Sequence, residues 1–199
     1  MAQSNEVPRR RSAMPLLLGW LVANAVGGAI ANILEIHVQF LGILVLTGIP
    51  IGFVQGFVLR SYMRQAWRWA VVTAIAWPLV NLLEVSLLQQ PGDWLIQSLT
   101  ATELLWEVFW LNLVRMAIIL ALLAVPQAWL LREQGGRIWV WIVASFVGGA
   151  LLGAIGATTC LWWCPVLRGN VLGFVLGAAS WLGYALVTGL ALKQILDRR

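Results

Sequence analysis

The chain has 199 residues, 61% hydrophobic and only 11% charged, whereas a soluble domain carries roughly 25% charged residues to keep its surface solvated. The length suits one domain, but so many apolar side chains could not be hidden from water, which excludes a soluble globular protein and points to lipid as the solvent. The net charge of +5 does not indicate nucleic acid, because the basic residues sit in small groups at segment ends with no aromatic-interleaved basic patch.

Residues 1–13 read as a cytoplasmic tail carrying Arg9, Arg10 and Arg11, and residues 14–199 as a single transmembrane domain. Six apolar stretches follow, at 14–34, 40–59, 69–88, 111–131, 138–158 and 171–192. Each is near the roughly 20 residues that a helix needs to cross a bilayer. The fold expected is therefore an all-α membrane protein with six transmembrane helices. The first stretch contains Ala23-Asn24-Ala25, which resembles a signal-peptide cleavage site. The repeat described below argues against cleavage there.

The first stretch runs from Trp20 through Gly27-Gly28 and Asn32 to Glu35, with His37 just beyond. The second holds Gly48, Gly52 and Gly56 at four-residue spacing, which suits close helix packing, and ends in Gln55-Gly-Phe-Val-Leu59-Arg60. The third starts at Trp69 and matches the first without gaps, down to Asn81 and Glu84. Thr100-Ala-Thr-Glu103 has the form of a capping box and predicts the start of a fourth helix near Ala101. On that helix Glu103, Glu107, Leu111 and Arg115 share a face, with Asn112 beside them. It ends in Gln127-Ala-Trp-Leu-Leu131-Arg132, a second copy of the earlier ending. The fifth stretch opens at Trp141, repeats the paired glycines as Gly148-Gly149, and leads to Cys160 and Cys164, candidates for an extracytoplasmic disulfide. The sixth carries Gly173 and Gly177 and a weaker third ending, Thr188-Gly-Leu-Ala-Leu192-Lys193. The unit is thus a two-helix hairpin present three times in tandem, with parallel repeats related by an axis along the membrane normal. Gln55, Gln127 and Thr188 are expected to make interhelical hydrogen bonds. Most of the 13 tryptophans are expected in interfacial belts, Trp67 and Trp69 at the inner edge of the third span among them.

Arginine sets the orientation. Arg9, Arg10, Arg11, Arg60, Arg64, Arg68, Arg132, Arg137, Lys193, Arg198 and Arg199 lie at one set of connections, against Arg168 at the other, with Arg115 inside a span. Short loops rich in Lys and Arg stay cytoplasmic, so both termini are expected inside. The host is expected to be a bacterial inner membrane, with a thylakoid membrane as the second candidate.

The Gly-rich hairpins ending in Gln55 to Arg60 and Gln127 to Arg132, each followed by a Trp-led span, resemble small multi-pass membrane proteins of bacteria, cyanobacteria among them. That resemblance implies a membrane location over most of the chain and carries no established activity to transfer. Three parallel hairpins are also similar in plan to mitochondrial carriers, but the proline–acid–basic signature of the carriers' odd spans is missing and the chain is much shorter.

Depth along the helices gathers Asn32, Glu35, His37, Asn81, Glu84, Glu107, Asn112 and Arg115 toward the outer leaflet as a candidate polar binding cluster. Arg115 is expected to pair with Glu84, Glu107 or Glu35. No Ser-His-Asp set, metalloprotease motif, phosphate loop or dinucleotide fingerprint is present. The function expected is a non-catalytic scaffold, assembly or accessory subunit that binds lipid, pigment or another membrane protein, or a second copy of itself. The alternative is a small-solute or ion transporter with an outer vestibule, and an enzyme using Glu103, Glu107 or His37 comes third. The sequence names no cofactor, and no metal site is expected.

Overall fold

The computed structural model describes residues 13–38, 46–102, 107–132 and 137–196. They form helices throughout: α1 (Ala13–His37), α2 (Gly48–Leu59), α3 (Ala66–Leu83), α4 (Gln89–Thr102), α5 (Glu107–Arg132), α6 (Ile138–Trp163) and α7 (Gly169–Leu196). A widened π turn, Glu84–Leu88, joins α3 to α4 without a break. Five helical stretches are long and apolar enough to cross a membrane: Pro15–His37, Ala66–Ala101, Glu107–Arg132, Ile138–Trp163 and Gly169–Leu196. Only 12 residues of the expected second span lie in α2, and its first residues fall outside the described segments.

The helices pack in a closed ring. α1 contacts α2, α2 contacts α3, α3 contacts α5, α5 contacts α6, α6 contacts α7, and α7 returns to α1. Backbones approach most closely across three of these seams, and glycine is the reason. A methyl group on Gly52 of α2 would lie 2.9 Å from the Ala70 carbonyl of α3. On α6, Gly149 and Gly153 press on the Met116 and Asn112 carbonyls of α5. Between α1 and α7, Gly28 and Gly177 meet face to face. Lipid offers helices no hydrophobic drive to associate, so van der Waals contact of this kind carries the packing. The four-residue glycine spacings are used here for packing inside one chain.

Two apolar layers fill the ring. One, at the arginine-bearing end, contains Trp20, Trp69, Trp141, Leu59, Leu131 and Leu192. The next contains Ile51, Trp77, Leu120, Leu123, Trp181 and Tyr184. Outside, every long helix presents exposed Leu, Val, Ile or Phe, such as Ile30, Phe53, Leu79, Val125, Phe146 and Leu186. A core that is filled and a surface that is apolar on all sides are what a membrane-spanning bundle requires.

Two expectations need correction. Trp69 is fully buried, as are Trp20 and Trp141, so the tryptophans that open the odd spans belong to the core and not to an interfacial belt. The belt is formed instead by Trp67, Trp129 and Trp139 at one end and Trp94, Trp162 and Trp163 at the other, all exposed. Second, Thr100 caps no helix start. It lies near the end of α4, where its hydroxyl donates to the Ile96 carbonyl. The third span continues as one rod of 36 residues, Ala66–Ala101, about 54 Å at the helical rise and longer than the hydrocarbon core is thick. Pro91 lacks an N–H and would clash with the carbonyl four residues back in a regular helix, and the wider turn Glu84–Leu88 lies immediately upstream of it.

Candidate functional site

The polar interior is built from the tryptophans of α1, α3 and α6. Trp20, Trp69 and Trp141 face one another in edge-to-face pairs, with ring centroids 6.2, 6.1 and 5.3 Å apart, a geometry the aromatic quadrupole favours. Each indole N–H is taken up by a residue toward the arginine-bearing end of α2, α5 or α7. Trp69 Nε1 donates to Gln55 Oε1 at 2.9 Å, Trp141 Nε1 to Gln127 Oε1 at 3.2 Å, and Trp20 Nε1 to Thr188 Oγ1 at 3.0 Å. The glutamines pass the chain onward. Gln55 Nε2 donates to Asn24 Oδ1 at 2.7 Å, and Gln127 Nε2 to Thr73 Oγ1 at 2.9 Å. Asn24 and Thr73 stand four residues after Trp20 and Trp69, one helical turn away. Burial of all these groups is complete or nearly so, which makes each hydrogen bond hard to give up.

The third link is shorter. Thr188 cannot reach the residue equivalent to Asn24 and Thr73, which is Ser145. Its hydroxyl turns back to the Tyr184 carbonyl at 2.8 Å, and Ser145 Oγ is buried without a hydrogen-bond partner. The Tyr184 hydroxyl is its polar neighbour, outside hydrogen-bond geometry.

At the far end of the bundle the residues grouped by sequence depth divide into separate local pairings. Glu35 accepts from Thr47 at 3.1 Å, tying α1 to the start of α2. His37 and Asn170 meet at 2.7 Å between α1 and α7. Arg115 lies 3.4 Å from Glu84 and 3.4 Å from Asp93, linking α5 to the π turn and α4. Glu84 is one of the three expected partners, and Asp93 is a residue the sequence reading left out. Asn32, Asn81 and Asn112 each donate to the carbonyl four residues earlier on their own helix. Glu107 is exposed at the start of α5, and Glu103 lies outside the described residues. Cys160 and Cys164 are joined in a disulfide at the end of α6. Among the described residues no group of three or more His, Cys, Asp or Glu side chains is placed to hold a metal.

Comparison with protein-family models, with curated proteins and with solved structures found no match.

Proposed function

We propose that the chain is a non-catalytic membrane scaffold or accessory subunit, made of three tandem two-helix hairpins that cross the bilayer six times, with both termini on the cytoplasmic side. The observation that carries this reading is the plugged axis. Three fully buried indoles touch one another there, and their N–H groups are consumed by side chains of the ring itself. A conduction path along that axis would have to separate the indoles and leave buried donors unsatisfied. The polar residues of the expected vestibule lean the same way, since they are partnered locally in pairs and trios and do not converge on one cavity. A broad apolar periphery is left to make contacts, with lipid and with another membrane protein or a second copy as the partners it suits.

Reconstitution tests this directly. Proteoliposomes carrying the chain are expected to show no flux of K⁺, Na⁺, Cl⁻ or protons above empty vesicles, while the chain purified from its native membrane carries stoichiometric lipid, pigment or a protein partner by mass spectrometry and absorbance. Saturable flux that tracks the amount of protein would overturn the reading.

A further inference from the structure

Cys160 and Cys164 form a bridge that joins nothing the backbone does not already join. They stand four residues apart at the end of α6, and the Cys164 N–H donates to the Cys160 carbonyl at 2.8 Å. The turn that follows is held by its own bonds, the Val166 and Leu167 N–H groups donating to the Trp163 carbonyl at 3.1 and 2.8 Å. The packing of α6 is settled earlier on the helix, where Gly149 and Gly153 press on the α5 backbone and Gly148 meets Tyr184 of α7. A cross-link stabilises by restricting the unfolded chain, and its effect falls as the closed loop shortens. A bridge within one helical turn lies near the bottom of that scale, so little of the fold rests on it. Its surroundings are open. Both cysteines are only partly buried, and Leu161, Trp162, Trp163 and Val166 are exposed. The chain between and just beyond the two sulfurs therefore turns apolar side chains outward.

We propose that this bridge is a thiol–disulfide exchange site whose substrate is a protein dithiol carried in an apolar segment. Exposed disulfides are the ones open to exchange, because a thiolate must reach a sulfur along the S–S axis. The exposed Leu161, Trp162, Trp163 and Val166 select an apolar partner, since docking there removes their surface from water. One thiolate of the partner attacks a sulfur of the bridge. The Cys160–Cys164 bond breaks, a mixed disulfide forms, and the released cysteine leaves as a thiolate that takes a proton from water. The partner's second thiolate then attacks its own mixed-disulfide sulfur, which closes the partner's disulfide and frees the other cysteine. Two electrons pass from the partner dithiol, which is oxidised, to the bridge, which is reduced. On the orientation proposed above α6 ends outside the cytoplasm, in the kind of compartment where disulfides persist.

This chemistry goes beyond the scaffold reading and takes from it only the compartment. Nanodiscs leave both faces of the chain open to reagents, so the following test stands or falls apart from the flux assay and from the orientation. The full chain is placed in phosphatidylcholine nanodiscs, and the state of the bridge is read by maleimide mass shift after an acid quench. Two pre-reduced peptides serve as probes, a Cys-x-x-Cys pair flanked by leucines and the same pair flanked by glutamates. Each rate is divided by that peptide's rate on oxidised glutathione, which removes differences in thiol acidity. The leucine peptide is expected to reduce the bridge about tenfold faster than the glutamate peptide, the effect of burying one apolar side chain. The double variant Trp162→Ser, Trp163→Ser is expected to lower the leucine rate to the glutamate level. Reduction by dithiothreitol is expected to leave the melting temperature unchanged. The proposal is overturned if the bridge is reduced only after thermal unfolding, or if reduction lowers the melting temperature, since the bond would then be a structural one. Equal corrected rates for the two peptides, or a leucine advantage that survives in the folded tryptophan variant, would overturn it as well.

Discussion

Asn24, Thr73 and Ser145 each stand four residues after the tryptophan of α1, α3 or α6, yet their hydroxyl or amide oxygens meet different fates. Thr73 Oγ1 accepts from Gln127, while Ser145 Oγ has no partner in an equally dry place. A buried donor left without its acceptor costs about 1–3 kcal/mol, whereas deleting a polar group that had no partner removes a penalty. Thr73→Val keeps the shape but strands Gln127, and it is expected to lower the stability of the detergent-solubilised protein by about 1 kcal/mol or more. Ser145→Ala is expected to leave it unchanged or raise it by up to about 1 kcal/mol. Thermal unfolding of both variants in one detergent checks the sign. If Ser145→Ala is as damaging as Thr73→Val, the two sites are equivalent and the asymmetry of the third link is wrong. The hydrogen-bonding roles of Gln55, Gln127 and Thr188 were legible in the sequence because Gln55 and Gln127 open one shared ending and Thr188 opens a weaker version of it. The indole triad was not. Trp near the end of an apolar span reads equally as belt or core, and helices that are hydrophobic all round give no phase to separate the two.

Helix packing makes sharper demands. At Gly177 an added methyl would be driven into the Gly28 backbone, whereas at Gly92 in α4 nothing lies within 4 Å. Backbone cannot rotate away as a side chain can, so Gly177→Ala must separate α1 from α7. Overpacking of this sort costs about 1–3 kcal/mol. Gly92→Ala, in the same test, is expected to gain about 0.5–1 kcal/mol from helix propensity. Equal melting temperatures for the two variants would contradict the packing of α1 on α7. The ion pair at the other end argues similarly. Arg115→Met leaves Glu84 buried and unpaired, and because Arg115 itself is about one-third exposed, the loss is expected near 1–2 kcal/mol, between the values for surface and buried pairs. Adding Glu84→Gln should recover most of it in a double-mutant comparison, and no recovery would mean that Asp93 is the partner that matters. At this scale the glycine spacings announced close packing correctly, while α4 was missed. Pro91-Gly92 beside Gln89 and Gln90 has the composition of a turn, yet the helix runs through it just after the π turn, as α3 and α5 run through Pro78 and Pro126.

For the molecule as a whole, the decisive element is α2, whose 12 described residues make about 18 Å of helix against the roughly 30 Å hydrocarbon core. Hydrogen bonds at both ends of the segment fix how it lies against α1. Thr47, at its start, bonds to Glu35 near the end of α1, and Gln55, eight residues later, bonds to Asn24, eleven residues earlier on α1. The two helices therefore run antiparallel, and α2 carries the chain back to the depth of Trp20, with Leu59 buried in the same apolar layer. Both bonds are what the six crossings proposed above require. On the orientation proposed above, that end faces the cytoplasm. Single cysteines at Val38, Ser61 and Val166, in a Cys160→Ser, Cys164→Ser background, test the arrangement with a membrane-impermeant thiol reagent on right-side-out and inverted vesicles. Val38→Cys and Val166→Cys are expected to react from outside and Ser61→Cys only from inside. Reaction of Val38→Cys and Ser61→Cys from one side would reduce the crossings to five. The Gln55–Asn24 bond would fall with them, and with it the hydrogen-bonded path from Trp69 through Gln55 to α1.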